Sequence, residues 1–143
     1  MFAVVRIRGT VGVWREITDA MTMMGLKAKH SCVLMPKELE GNIHKVKDFC
    51  TWGEIDKKIL ESMLEKRLKV NGKKVDKEGL KKLGAKDFAE LADNVLGKKS
   101  SLKTVFRLSP PSKGFKHSIK SHFPKGELGY RGEKINELLV RMI

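Results

Sequence analysis

The chain has 143 residues, 41% hydrophobic and 33% charged, with 30 Lys and Arg against 17 Asp and Glu and a formal net charge of +13. That length suits one domain with a real core, and that charge points to a polyanionic partner rather than a small neutral substrate. No apolar run approaches the ~18 residues of a membrane span, and Arg6 and Arg8 interrupt the apolar start before it could serve as a signal peptide.

Phe2 to Arg8 alternates, which predicts a strand with Ala3, Val5 and Ile7 on a core face and Phe2, Val4, Arg6 and Arg8 on the other. Gly9-Thr10 and Gly12 supply a turn. Trp14, Ile17, Met21 and Met24 then recur at helical spacing, one apolar stripe closed by Gly25. On this pattern Trp14 belongs in the core. Lys27 to His30 forms a polar, basic linker in which His30 reads as a solvated connector. A second strand, Ser31–Met35, is stopped by Pro36. A second helix is expected over Glu38 to Asp48 with Leu39, Ile43 and Val46 inward. Gly41 weakens it by about 1 kcal/mol, a cost that makes sense where something must approach the backbone. Phe49 to Trp52 reads as a third strand, closed by Gly53. Residues 1–54 thus give a β-α-β-α-β unit whose helices can cover one sheet face and leave the other open, Arg6 and Arg8 included.

Residues 55–143 are expected to be helical and extended, packed on that core. Ile55, Ile59, Leu60, Met63 and Leu64 form a helical stripe, and Asn71-Gly72 a turn. Val75-Asp76 opens a short helix with Leu80 and Leu83, ended by Gly84. Asp87 and Glu90 make an acidic variant of the capping box before Phe88, Leu91, Ala92, Val95 and Leu96. Lys98 to Ser101 is polar and flexible in composition, Lys103–Leu108 alternates as a fourth strand, and Glu133–Ile143 is a closing helix. Between these last two lies Ser109 to Gly132, with five Lys and Arg against one acid, Glu127, and with three of the chain's four prolines. Such punctuation predicts an irregular loop, either RNA-binding or a solvated excursion, disordered in the free protein and ordered on binding. The last third, residues 100–143, is also the most one-sided in charge, 9 basic against 3 acidic.

No catalytic constellation holds together. Phosphate-cradling glycine loops, His-Glu-x-x-His and Gly-x-Ser-x-Gly are absent, and His117 and His122 have no geometric warrant as a metal or base pair. Cys32 and Cys50 are isolated and read as buried free thiols. No enzyme, metal or cofactor is expected.

Phe2–Arg8, the helix ending at Gly25-Leu26, Pro36, and Gly41 through Phe49-Cys-Thr-Trp-Gly-Glu54 resemble the large-ribosomal-subunit protein thirty family in its archaeal form, the counterpart of eukaryotic large-subunit protein seven. Phe106-Arg-Leu-Ser-Pro-Pro, Gly114-Phe115 and Gly126-Glu-Leu-Gly-Tyr-Arg-Gly-Glu-Lys-Ile-Asn-Glu-Leu138 resemble the same family's long C-terminal extension. The resemblance implies an α+β fold, a small ferredoxin-like β-α-β-α-β sheet with a helical insertion and a long basic C-terminal extension. It also implies a non-catalytic, cytoplasmic ribosomal protein bound to large-subunit ribosomal RNA near the 5S RNA, among neighbouring ribosomal proteins.

Carried onto this sequence, it implies RNA contact by Arg6, Arg8 and Lys29, by Gly41, His44, Lys45 and Lys47, and by Thr51, Trp52 and Gly53. In the loop it implies contact by Lys113, Gly114, Phe115, Lys116, His117, Lys120, His122, Lys125, Tyr130 and Arg131. Trp52 has two readings, stacking on RNA or closing the core beside Trp14. One local departure stands out. Where the family often has a basic residue and two glycines after the prolines, this chain reads Pro111-Ser112-Lys113-Gly114, with the cation shifted and one glycine lost. Two other classes fit the composition: a free RNA-binding translational regulator, and a small phosphate-handling enzyme.

Overall fold

The computed structural model describes residues 1–70, 73–75, 87–97 and 105–143. The expected short helix through Leu80 and Leu83, the Asn71-Gly72 turn, the Lys98–Ser101 segment and the start of the Lys103 strand lie outside these residues.

The architecture is α+β around a mixed six-stranded sheet. In chain order the elements are β1 (Phe2–Arg6), α1 (Arg15–Met23), β2 (Ser31–Met35), α2 (Glu40–Lys45), β3 (Cys50–Glu54) and α3 (Lys57–Arg67). There follow a small separate pair, β4 (Lys69–Val70) and β5 (Lys73–Lys74), and then α4 (Phe88–Leu96), β6 (Val105–Arg107), β7 (Ser118–His122), β8 (Gly126–Tyr130) and α5 (Ile135–Met142). The sheet order is β6-β2-β1-β3-β8-β7. β1 is flanked by antiparallel β2 and β3, with Val4 opposite both Val33 and Trp52. β8 joins β3 in parallel through Thr51 opposite Gly129 and Trp52 opposite Tyr130. β7 lies beside β8 in an irregular register.

Helices cover both faces of this sheet, not one. Ala3, Val5, Cys32 and Leu34 pack with Leu60, Met63 and Leu64 of α3, Leu91, Ala92 and Val95 of α4, and Ile135, Leu138, Leu139 and Met142 of α5. Phe2, Val4, Val33, Met35, Cys50 and Trp52 pack on the other side with Met21 of α1, Ile43 of α2 and Val46 just after it. The expected open face is therefore closed by the N-terminal half's own helices, while the later helices take the Ala3/Val5 side. Up to Arg6 the residues on both faces of β1 are apolar, as a strand buried on both sides requires.

Three further expectations change. Trp14 is 79% exposed instead of lying in the core, whereas Trp52, for which the sequence leaves two readings, is 2% exposed and takes the core one. Trp14 starts α1 in an extended conformation (φ −63°, ψ 144°) and so escapes the helical periodicity that would aim it inward. Leu39 ends a 3₁₀ turn, Lys37–Leu39, instead of lying within α2, and is 41% exposed. Finally, the Ser109–Gly132 stretch is not irregular throughout, because β7 and β8 lie within it and β8 is bonded into the main sheet. What read as a basic extension supplies sheet strands.

Candidate nucleic-acid interface

The candidate residues fall into three groups by what the fold does with them. The first group is internal. Arg6 is 2% exposed. Its guanidinium donates to the carbonyls of Leu26 (2.7 Å), Lys27 (3.0 Å) and Arg8 (2.9 Å), so it clamps the α1–β2 connection to the end of β1. Thr51 is buried and donates from Oγ1 to Gly129 O at 2.9 Å. Gly53 has an internal reason to be glycine, since a Cβ there would sit 2.0 Å from Gly132 O. Trp52 packs in the core, edge-on to His44 with ring centroids 5.5 Å apart.

Arg131 is also internal. Its Nη2 donates to Glu127 Oε2 at 2.6 Å and to Glu127 O at 2.7 Å, and its Nε donates to Thr51 Oγ1 at 3.0 Å. The pair is deeply buried, with side chains 8% and 3% exposed. Glu127 Oε1 meanwhile accepts the backbone N–H groups of Lys116 (3.1 Å) and His117 (3.0 Å). Burial pushes the Glu127 carboxyl up, but the Arg131 hydrogen bond and charge, with the two amides, outweigh it and hold the group below its ordinary range. Its acid is thus spent on holding the loop to β8. From the sequence Glu127 reads, with the glycines from Gly126 to Gly132, as a shape-setting residue more than a charge carrier; its pairing with Arg131 is what the structure adds.

The second group is the exposed set. Lys29, Lys45, Lys47, Lys113, Lys116, Lys120 and Lys125 all present their side chains to solvent. Gly41 is exposed, and a Cβ there would meet nothing within 4 Å, so nothing inside the chain demands a glycine. His44 is exposed beside Glu40, with Nε2 3.7 Å from Oε1. Lys113 and Gly114 take consecutive left-handed conformations (φ 64° and 72°). The lysine thus occupies the kind of backbone position a glycine adopts freely. Arg141 fixes this turn by donating to Ser112 O at 2.9 Å and to Gly114 O.

The third group ties these regions together. His122 Nε2 lies 3.0 Å from Asp48 Oδ1, and Arg8 donates to Asp48 O at 3.1 Å while lying over the Phe49 ring at 5.0 Å. Tyr130, half exposed, leans on Trp52 at 6.4 Å and on Phe2 at 6.1 Å. Arg8 and His122 thus meet at Asp48 beyond the Arg6 end of β1, while His44 and Tyr130 flank Trp52 nearer Phe2. At the loop's start, Phe115 stacks on His30 at 6.2 Å, and His30 N–H in turn donates to Arg6 O at the end of β1.

Lys134 and Arg141 are not among the residues to which the sequence points, and Phe123 is legible only as one of the loop's rings. Phe123 carries Arg131 and Lys134 over its ring at 5.7 and 5.4 Å and lines a cleft of about 210 Å³ with Lys116, His117 and Glu127. Among the described residues no group of three His, Cys, Asp or Glu is placed to hold a metal. No helix among them is long and apolar enough to cross a membrane. Cys32 and Cys50 are free and buried, their thiols pushed up to about 12 by burial.

No protein-family model matches the chain. It is 44% identical over 153 residues to a large ribosomal subunit protein uL30 of Nanoarchaeum equitans, covering 100% of this chain and 99% of that protein. It is 42% identical over 152 residues to the uL30 protein of Archaeoglobus fulgidus, covering 99% of each. It is 42% identical over 163 residues to that of Hyperthermus butylicus, covering 100% of this chain and 90% of that protein.

Proposed function

Since the chain belongs to the large ribosomal subunit protein uL30 family and is therefore a structural constituent of the ribosome, we propose that it binds large-subunit ribosomal RNA near the 5S RNA through the exposed cations of its C-terminal loop and α2. One observation carries this reading. Lys113, Lys116, Lys120 and Lys125 are all exposed, while the loop's acid, Glu127, is buried and neutralised by Arg131. The loop therefore shows phosphates a field of cations without a competing carboxylate. Its strands and the Arg141 clamp hold it in one shape, so less entropy is lost on binding than in a free tail. Gly41 supports a second contact, because an exposed helical glycine with open space beyond it allows close backbone approach. Phosphate contacts of this kind position the protein, while His44, Tyr130 and the loop aromatics set the fit. The role is architectural and involves no catalysis. The buried residues Arg6, Thr51, Trp52, Gly53 and Arg131 act on this surface from beneath.

The test is sedimentation with the large subunit, followed by a salt series and by crosslinking in intact subunits mapped to both peptide and nucleotide. Association that high salt reverses, with crosslinks from residues 113–125, is the expected result. A protein found only in the free pool would instead be a regulator outside the particle, and crosslinks confined to other faces would remove the loop from the interface.

A further inference from the structure

The β1–α1 loop carries a feature that the reading above does not use. Val11 is fully exposed and Trp14 is 79% exposed. A Cβ on Gly9 or Gly12 would meet nothing within 4 Å, and Gly12 turns the chain at φ 71°. The chain thus projects the largest side chain it owns into solvent from a loop that touches little else. The projection is held in place, because Trp14 O accepts the N–H groups of Ile17 and Thr18, each at 3.1 Å, so the indole is mounted on the first turn of α1. Among the described residues no ring packs against it.

Charge decides which kind of partner this suits. From Arg8 to Arg15 there are two arginines and no acid; the Arg15 side chain is 94% exposed and lies 3.7 Å from the exposed Asp19, a surface pair weak enough to yield to a phosphate. Around Val11 and Trp14 the loop holds Gly9, Thr10, Gly12 and the half-buried Val13, too little apolar area to seat a protein interface. A lone indole between cations, on a backbone open to close approach, matches the chemistry of single-stranded RNA recognition, in which a ring stacks on a base and nearby guanidinium groups meet the phosphates. We propose that Trp14 is a stacking platform for an unpaired nucleotide, flanked by Arg8 and Arg15. The inference rests on the RNA-binding reading and adds to it a residue and a class of RNA feature.

The chain has two tryptophans, and Trp52 is buried, so emission separates them. Purified large-subunit ribosomal RNA is titrated into the full-length protein, its Trp14→Phe variant and its Trp14→Leu variant while indole emission and binding are both followed. Stacking predicts quenching in the wild type. It predicts near-wild-type affinity without quenching in Trp14→Phe, where only Trp52 reports. It predicts an affinity loss of roughly fivefold to a hundredfold in Trp14→Leu at unchanged Tm. Equal binding by wild type and Trp14→Leu overturns this inference alone, as does quenching that persists in Trp14→Phe. A crosslink from position 14 to protein instead of RNA in intact subunits also overturns it. Failure of the wild type to bind the RNA overturns the RNA-binding reading, and this inference with it.

Discussion

Glu127→Ala tests how the loop is held. The substitution removes the carboxylate that accepts Arg131 Nη2 at 2.6 Å and the amides of Lys116 and His117. Those two amides belong to exposed residues and can turn to water, so their loss is a minor part of the cost. The guanidinium cannot, because the Arg131 side chain is 8% exposed. Removing one partner of a buried ion pair costs about 3–5 kcal/mol. Arg131 keeps its bonds to Glu127 O and Thr51 Oγ1, which places the expected loss at the low end, about 3 kcal/mol. In a chain of this size that is a Tm decrease of roughly 10 °C. The pH dependence follows from the sign of the shift. The folded carboxyl lies below its unfolded value, so its stabilisation is complete above about pH 4.3 and is lost as the pH falls through the folded value. The stability gap between wild type and Glu127→Ala should therefore be widest at neutral pH and close in acid. Urea unfolding at a series of pH values measures it. A loss below about 1 kcal/mol at pH 7, or a gap that does not change with pH, would refute the claim that this pair anchors the loop.

Replacing Lys113, Lys116, Lys120 and Lys125 together by Ala should lower the salt slope of RNA binding by about 3 and leave Tm nearly unchanged, since all four are exposed; a collapsed fold would place them in the core instead. Gly41→Ala should stabilise α2 by up to about 1 kcal/mol while weakening RNA binding, and unaltered affinity in a gel-shift titration would remove the open backbone from the interface. Lys113→Gly should raise stability by about 0.5–1 kcal/mol, because a non-glycine residue in the left-handed region costs about 1–2 kcal/mol, partly offset by the greater freedom of glycine when unfolded. Urea unfolding decides this, and a destabilised variant would count against the strain.

Much of the fold is readable from local patterns. β1, β2 and β3, the stripe of α3, the Phe88–Leu96 helix and the closing helix all lie where their periodicity puts them. The family and the α+β class were legible from motifs spread over the whole chain. What local pattern could not supply was partnership at long range. Arg6 looks like a strand charge facing water, and only the return of Leu26 and Lys27 over it supplies the carbonyls that bury it. Phe2 and Val4 show that the second face of β1 is apolar, yet which helices cover it depends on chain reversal. Trp14 is exposed and Trp52 buried because one sits just before a helix begins and the other at the centre of a strand paired on both sides. The loop's strands escaped notice because β8 is defined by pairing with β3, while its own residues, Gly-Glu-Leu-Gly-Tyr, carry little strand propensity.

The parallel union of β3 with β8 also has a kinetic consequence. The bond from Thr51 to Gly129 spans 78 residues, so it is among the last closures a nascent chain can make. Until then β3 is an unpaired edge with Trp52 and Thr51 along it, a template for wrong partners. A polypeptide halted short of Tyr130 would leave that edge open and should be prone to aggregation, while the half containing β1 and β2 can already pair. High contact order at this one seam makes maturation wait on the same segment that presents the lysines. Display of those lysines and completion of the sheet therefore arrive together.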